Sequence, residues 1–222
     1  MFYALKAGKL TWPAAIAGAI IGGVIFIASG YVGLAMMVTF FILGTISTSW
    51  KIGYKKQMGL AEENKGRRTA GQVIANAGVP GLLGILTLLN NANSTLYLLM
   101  MAAGFASASA DTLSSELGNV YGRRFYNIVT FKKDVRGLNG VVSMEGTLIG
   151  IMGSCMIALI YFIAFGCDKN ILIIIIAGTA GNLADSILGA TLEQQKVLNN
   201  NAVNFFNTAI AAGVAGLLYF LF

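Results

Sequence analysis

Histidine is absent from this chain of 222 residues, which removes imidazole general bases, HExxH zinc sites and Ser-His triads together. Any chemistry therefore falls to Asp, Glu, Lys, Arg or hydroxyl groups. Charge is scarce as well: 11% of residues are charged, where a soluble domain carries roughly 25%. The two cysteines, Cys155 and Cys167, sit in or beside an apolar run with neither disulfide-framework nor CxxC spacing, so they read as packing residues. Neither a Walker A sequence GxxxxGK[ST] nor a kinase GxGxxG loop occurs, so neither soluble nucleotide-binding fold is in use.

What is plentiful is apolar. Hydrophobic residues make up 56% of the chain and the mean hydropathy is +0.74, the signature of an integral membrane protein. Runs close to the roughly 20 residues that cross a bilayer as a helix recur at Trp12–Ser29, Tyr31–Ser49, Val73–Leu89, Leu96–Ala110, Gly146–Phe165, Ile171–Ala190 and Val203–Phe222. The fourth carries the weakest signal. The expected fold is all-α, a polytopic transmembrane helical bundle of about seven spans, with residues 1–222 as a single integral-membrane domain. Glycine, 28 residues in all, recurs in "GAIIGG" and "GTLIGIMG", which suits close helix contacts in lipid. The first run begins too near Met1, and lacks a small-residue cleavage site, to read as a removable signal peptide.

Positive charge is concentrated. "KIGYKKQMGLAEENKGRRTAGQ" holds Lys51, Lys55, Lys56, Lys65, Arg67 and Arg68, and "YGRRFYNIVTFKKDVRG" adds Arg123, Arg124, Lys132, Lys133 and Arg136. Both follow even-numbered spans, and the positive-inside rule makes that side cytoplasmic. Lys6, Lys9, "NNANST" and "CDKN" are expected opposite, with both termini outside. The Lys51–Lys56 cluster is accounted for equally by topology and anionic lipid or by a site. "NKGRRTAGQVIAN" reads further: adjacent arginines beside Gly66 and Gly71, with Thr69 as a candidate N-cap, make a phosphate-binding turn at a helix N-terminus.

The acids point the same way. Asp111 and Glu116 in "SASADTLSSELGN", Glu145 in "GVVSMEGT" and Asp185 in "GNLADSILGA" fall at the cytoplasmic level of three different spans. A carboxylate facing lipid at mid-bilayer costs roughly 2.5 to 3.5 kcal/mol, so a shared wet pocket is the expected arrangement. Asp111 shares a helix face with Ser114 and Ser115, whereas Glu116 lies about 140° around; the two serve one site only if the helix breaks, and Gly118 and Gly122 offer a break. Hard cations such as Mg²⁺ bind through one or two carboxylates together with substrate phosphates, and Lys and Arg neutralise the remaining phosphate charge. Phosphoryl transfer from a nucleotide needs this combination. Buried salt bridges of the acids with Arg67, Arg68 or Arg136 are the structural alternative. Asn76, Asn204 and Asn207 either line the pocket or bond across helices.

The motifs "NKGRRTAGQVIAN", "ADTLSSELG", "GVVSMEGT" and "NLADSILGA", in this order, resemble the integral-membrane family that includes the phytyl-phosphate kinase of vitamin E biosynthesis. The likeness runs from about Lys6 to the C-terminus and includes "LTWPAAIAG" and "NNNAVNFFNT". It implies transfer of a phosphoryl group from a nucleoside triphosphate, CTP favoured, to an isoprenyl monophosphate such as phytyl, geranylgeranyl or farnesyl phosphate. Under that resemblance Lys65, Arg67 and Arg68 hold the triphosphate or the acceptor phosphate. Asp111, Glu116 and Asp185 are the candidates for Mg²⁺ ligation or transition-state positioning, and Thr69, Asn76, Ser115, Ser143 and Glu145 are further members of the pocket. A phosphate monoester is largely dianionic at pH 7, so such an acceptor needs little help from a general base.

Two rivals stand beside this reading. "SADTLSSELG" and "LADSILG" form a short internal echo on spans running in one direction, a transporter trait, so a transporter or flippase for a lipid phosphate or small anion is one. A cytidylyltransferase making a CDP-lipid is the other. Membrane lipids are expected partners and nucleic acid is not; the glycine-rich faces fit packing within one chain or between copies. The expected location is a prokaryotic cytoplasmic membrane, with the site facing the cytoplasm.

Overall fold

Among the described residues six helical segments are long and apolar enough to cross a bilayer, and the first, Trp12–Ser49, is 38 residues long. A straight helix of that length would measure about 57 Å, nearly twice the hydrocarbon core. The computed structural model, which describes residues 5–61 and 66–222, shows that this segment is not straight. Gly30 takes φ 63° and ψ −149°, a region essentially reserved for glycine, and the chain reverses there. Lys9 Nζ consequently donates to Ser49 Oγ at 2.9 Å across 40 residues of sequence, and the rings of Phe26 and Tyr31 meet 5.2 Å apart on either side of the turn.

The segment thus supplies two antiparallel spans, α1 (residues 12–29) and α2 (residues 31–49). The others are α3 (Ala70–Leu89), α4 (Ser94–Tyr121), α5 (Met144–Phe165), α6 (Asn170–Leu188) and α7 (Asn200–Leu221). Seven crossings result, in the all-α architecture expected. Hydroxyl and amide caps start α1, α3, α5 and α7. Thr11 accepts from Ala14 N–H at 3.3 Å, Thr69 from Gln72 N–H at 3.3 Å, Ser143 from Gly146 N–H at 3.1 Å and Asn199 from Ala202 N–H at 2.9 Å.

The hairpin at Gly30 corrects the expected topology. Lys9 lies beside Ser49, and residues 9–11 pair with Arg68 through Arg68 N–H to Lys9 O at 3.0 Å and Thr11 N–H to Arg68 O at 3.1 Å. Lys6 and Lys9 therefore join the basic loops rather than facing them, because loops after even-numbered spans lie on the side where the first span begins. With an odd number of spans the C-terminus lies at the other end. Among the described residues Lys169 alone of the Lys and Arg residues sits there with it, so the charge asymmetry is stronger than expected.

α4 occupies the centre. It runs 28 residues, about 42 Å, and every residue from Met101 to Ala110 is buried. That stretch is mostly Ala, Gly and Ser, so its low hydropathy reflects a helix that meets protein on every side rather than lipid. Close approach is the reward: a Cβ on Gly153 would lie 3.0 Å from the Ser109 backbone, and one on Gly178 would lie 2.7 Å from Ala106 Cβ. α4 also continues past Ala110, where the sequence placed its end, so Asp111 and Glu116 lie within the helix.

Gly181 of α6 makes the tightest of these crossings, its absent Cβ falling 2.8 Å from Asn207 O and 2.2 Å from Ser107 Oγ. We expect Gly181→Val to destabilise the protein by at least about 1–3 kcal/mol, the usual cost of overpacking. Gly213→Val, in open space on α7, should change little; thermal denaturation of both variants in detergent measures the difference.

Candidate functional site

At the basic end the spans part around a polar cavity of about 200 Å³. α3 contributes Gln72 and Asn76, α4 Asp111, Ser114 and Ser115, α5 its capping residue Ser143, α6 Asn182 and Asp185, and α7 Asn200 and Asn204. The loop between α4 and α5 roofs it. That loop carries a two-residue ribbon, β1 (Tyr126–Asn127) paired antiparallel with β2 (Val141–Val142). Its Gly137–Val142 stretch lines the cavity, and Asn139 O accepts from Gln194 Nε2 at 2.7 Å. After α6 the chain makes a π-helical turn, Gly189–Glu193, which delivers Glu193 to the wall. Such turns are rare and occur often at functional sites.

Asp111 and Asp185, from two spans that run the same way, come within hydrogen-bonding reach of each other, with Glu193 near Asp185. A buried relay holds Asp185 from behind: Ser107 Oγ donates to Asn207 Oδ1 at 2.6 Å, and Asn207 Nδ2 donates to Asp185 Oδ1 at 3.0 Å. On α6 Asn182 accepts from Ser114 Oγ at 3.2 Å. Asn207 thus bonds across helices, while Asn76 and Asn204 are wall residues whose buried Oδ1 atoms have no hydrogen-bond partner among the described residues.

Arg68 enters from the turn before α3. Its guanidinium stacks over Phe40 at 5.2 Å and lies near enough to act electrostatically on Asp111. Gly44 makes room, since a Cβ there would meet Arg68 Nη2 at 2.1 Å. Arg68 and Gln72 have a second role. They also line the head of an apolar groove of about 510 Å³ between the α1–α2 hairpin and α3, whose walls include Gly22, Gly23, Phe26, Leu34, Met37, Val73 and Ala77. A polar chamber and an apolar groove thus share two wall residues.

The model of the family described as "Integral membrane protein DUF92" matches residues 1–212. The chain belongs to that family. Among relatives of this DUF92 chain, "Protein VTE6, chloroplastic" of Arabidopsis thaliana is 33% identical over 206 residues, covering 90% of this chain and 62% of the relative's length. "Uncharacterized membrane protein MJ0933" of Methanocaldococcus jannaschii is 33% identical, with 92% and 83% covered. "Protein PGR" of Arabidopsis thaliana is 29% identical, with 86% and 75% covered. No solved structure matches. The motif resemblance drawn from the sequence therefore holds at the level of the family.

Of the residues singled out in this DUF92 chain, the structure brings Arg68, Asn76, Asp111, Ser115, Ser143 and Asp185 to one cavity. Others lie elsewhere. Lys65 is outside the described residues. Arg67 is exposed and donates to Leu10 O at 3.3 Å, and Thr69 is occupied in a capping box with Gln72. Glu145 sits beside the Arg123 N–H, 3.4 Å away, and off the cavity wall.

Glu116 is the principal correction. Because α4 stays helical to Tyr121, Glu116 keeps its 140° offset from Asp111 and faces Lys55 of the short helix Ile52–Gln57. Lys55 is 1% exposed, donates to Ser47 O and Thr48 O at 2.9 and 2.8 Å, and forms an ion pair with Glu116. All three ammonium donors are used, tying the end of α2 to α4. Glu193 and Gln72 were missed as cavity residues: Glu193 reads as loop until the π turn is seen, and Gln72 carries no charge that would single it out.

Removing one member of the Lys55–Glu116 pair leaves a buried charge unmatched. Glu116→Ala should cost about 3–5 kcal/mol, and Lys55→Met with Glu116→Leu should recover much of it. Melting of the single and double variants in detergent checks this; a single variant as stable as wild type is the contrary result.

Proposed function

We propose that this chain is a kinase of the membrane surface, transferring the terminal phosphoryl group of a nucleoside triphosphate to an isoprenyl monophosphate and yielding the diphosphate. One observation carries the reading. A chamber with paired carboxylates shares Arg68 and Gln72 in its wall with an apolar groove between the α1–α2 hairpin and α3. That arrangement fits a substrate with an anionic head and a hydrocarbon tail. Family membership and the likeness to VTE6 support a kinase acting on a prenyl phosphate; the choice of CTP rests on the motif resemblance, and the basic end is taken as cytoplasmic from its charge.

Electrostatics at the chamber suit phosphate. The N-termini of α3, α5 and α7 open onto it, bringing the positive ends of three helix dipoles to one place. Arg68 adds a fixed cation with a planar fork of donors. Among the described residues no three acidic or cysteine side chains cluster to hold a metal on their own. Asp111 and Asp185 instead fit the mode in which Mg²⁺ is held by one or two carboxylates and the substrate's phosphates. When bound there, Mg²⁺ would neutralise charge on the transferring group.

In the reaction an oxygen of the isoprenyl phosphate attacks the terminal phosphorus, the bond from that phosphorus to its bridging oxygen breaks, and the nucleoside diphosphate departs with the electron pair. The acceptor dianion needs no proton removed. The chain's part is placement: Arg68 aligns the acceptor phosphate at the mouth of the groove, and Asn207 holds Asp185 in register with Asp111. The unpartnered Oδ1 atoms of Asn76 and Asn204 accept hydrogen bonds from sugar hydroxyls, an amino group or water.

Purified protein given Mg²⁺, labelled CTP or ATP, and farnesyl, geranylgeranyl or phytyl monophosphate should place label in an isoprenyl diphosphate, and EDTA should abolish it. Asp111→Asn and Asp185→Asn should each lower kcat by at least about 100-fold, the scale of losing one electrostatic group in a closed site, while Glu145→Gln stays near wild type. Release of pyrophosphate would point to nucleotidyl transfer, and intact nucleotide with every acceptor would sink the proposal.

A further inference from the structure

The groove has a depth scale built into it. Its polar mouth is the Arg68 guanidinium, which lies against Gly44. The facing of Lys9 with Ser49 and of Gly22 with Met37 sets Gly44 level with about residue 14 or 15 of α1. At 1.5 Å per residue Ala19 then lies roughly 7 Å below the guanidinium, Gly23 roughly 13 Å and Phe26 roughly 17 Å. An isoprene unit adds four carbon–carbon bonds of about 1.5 Å to an extended chain, about 5 Å of length. The first unit therefore ends short of Ala19 and the third passes Gly23.

We propose that this groove is the binding site for the isoprenyl tail, and that Ala19 and Gly23, one helical turn apart on α1, determine which tail lengths are accepted. The inference rests on the kinase reading for the identity of the head group. Three observations favour a substrate tail as the occupant. Arg68 and Gln72 line both the groove and the chamber that holds the paired acids, so an amphipathic molecule with its head at Arg68 has the chamber on one side and the groove on the other. Its lining below that point is apolar throughout, as a hydrocarbon requires. At Gly23 nothing lies within 4 Å of where a Cβ would be, although Gly22 beside it would place its own 3.5 Å from Met37 Sδ. Space is thus kept open at one glycine and closed at its neighbour.

A side chain added at Gly23 stands in the path of the third unit without displacing protein atoms, and one added at Ala19 stands in the path of the second. Bulk at these positions trims the accepted tail at two depths. A merely structural disturbance would instead slow all acceptors alike.

The test compares kcat/KM for dimethylallyl, geranyl, farnesyl and geranylgeranyl monophosphates in wild type, Gly23→Phe and Ala19→Phe. Gly23→Phe should lower the geranylgeranyl-to-geranyl ratio at least tenfold while sparing geranyl phosphate, and Ala19→Phe should extend the loss to geranyl phosphate and spare dimethylallyl phosphate. Ratios that match wild type in both variants overturn the assignment. A second measurement does not depend on turnover: a farnesyl monophosphate analogue with a diazirine at its tail end is photolysed in the wild-type protein, and the labelled residues are mapped. Label on residues 19–26 and 34–41, displaced by farnesyl phosphate, supports the groove even if no phosphoryl transfer is found, in which case the kinase reading alone falls. Label elsewhere, or label on the groove displaced equally by phosphatidylglycerol, assigns it to ordinary membrane lipid and overturns the proposal.

Discussion

A carboxyl group inside a membrane bundle must be given polar company, and much of this structure follows from supplying it to Asp111 and Asp185. Facing lipid at mid-bilayer, each would cost roughly 2.5 to 3.5 kcal/mol. Facing each other in a polar chamber, with Asn207 donating to Asp185 and Arg68 near Asp111, they are retained. That company needs three helices within side-chain reach of one another. Glycine and alanine on α4 and α6 provide it: at Gly181 the backbone of α7 comes so close that a single added carbon would meet Asn207 O. Any larger residue pushes α7 outward and parts Asn207 from Asp185. Packing and site geometry are one constraint.

Much of the architecture was legible because the bilayer imposes a simple rule. Twenty apolar residues make a crossing, and the seven runs in the sequence correspond to seven spans. Lys6 and Lys9 were misplaced by a matter of parity rather than of pattern, since an N-terminus always shares its side with the loops that follow even-numbered spans. Harder to foresee was the fate of Gly118 and Gly122, which offered a break in α4. Gly118 instead serves contact, its missing Cβ falling 2.9 Å from Gly146 Cα. A glycine in a membrane helix permits either outcome, and nothing local decides between a kink and a close crossing. Once the helix continues, Glu116 is carried to the Lys55 side and Asp111 is left to the chamber. Glu193 was hidden for a different reason, because a π turn rotates its side chain by an amount that hydropathy does not encode.

The two ends of the interior differ, and the difference bears on enzyme against transporter. A carrier for a polar solute needs polar groups, or cavities that alternate, on both sides of its site. Here the buried polar chain ends at Ser107 and Asn207. Beyond it stand Ala103, Ile157, Ile174 and Ala211, all fully buried, and Ala215 lies two turns past Asn207, about 12 Å further along α7. At this depth Ser154 spends its hydroxyl on Ala106 O at 3.3 Å, and the buried pair Tyr161 with Asn170 at 3.0 Å belongs to the opposite end. An anion that enters the chamber from the basic end has its exit on the same side. The groove, by contrast, lies between the α1–α2 hairpin and α3, and under the proposed function a tail would enter it from lipid and leave to lipid without its head crossing the bilayer. Chemistry on a head group held at the interface meets each feature of this arrangement, including the feature hardest to reconcile with transport: the chamber shares Arg68 and Gln72 with a groove whose other walls are apolar.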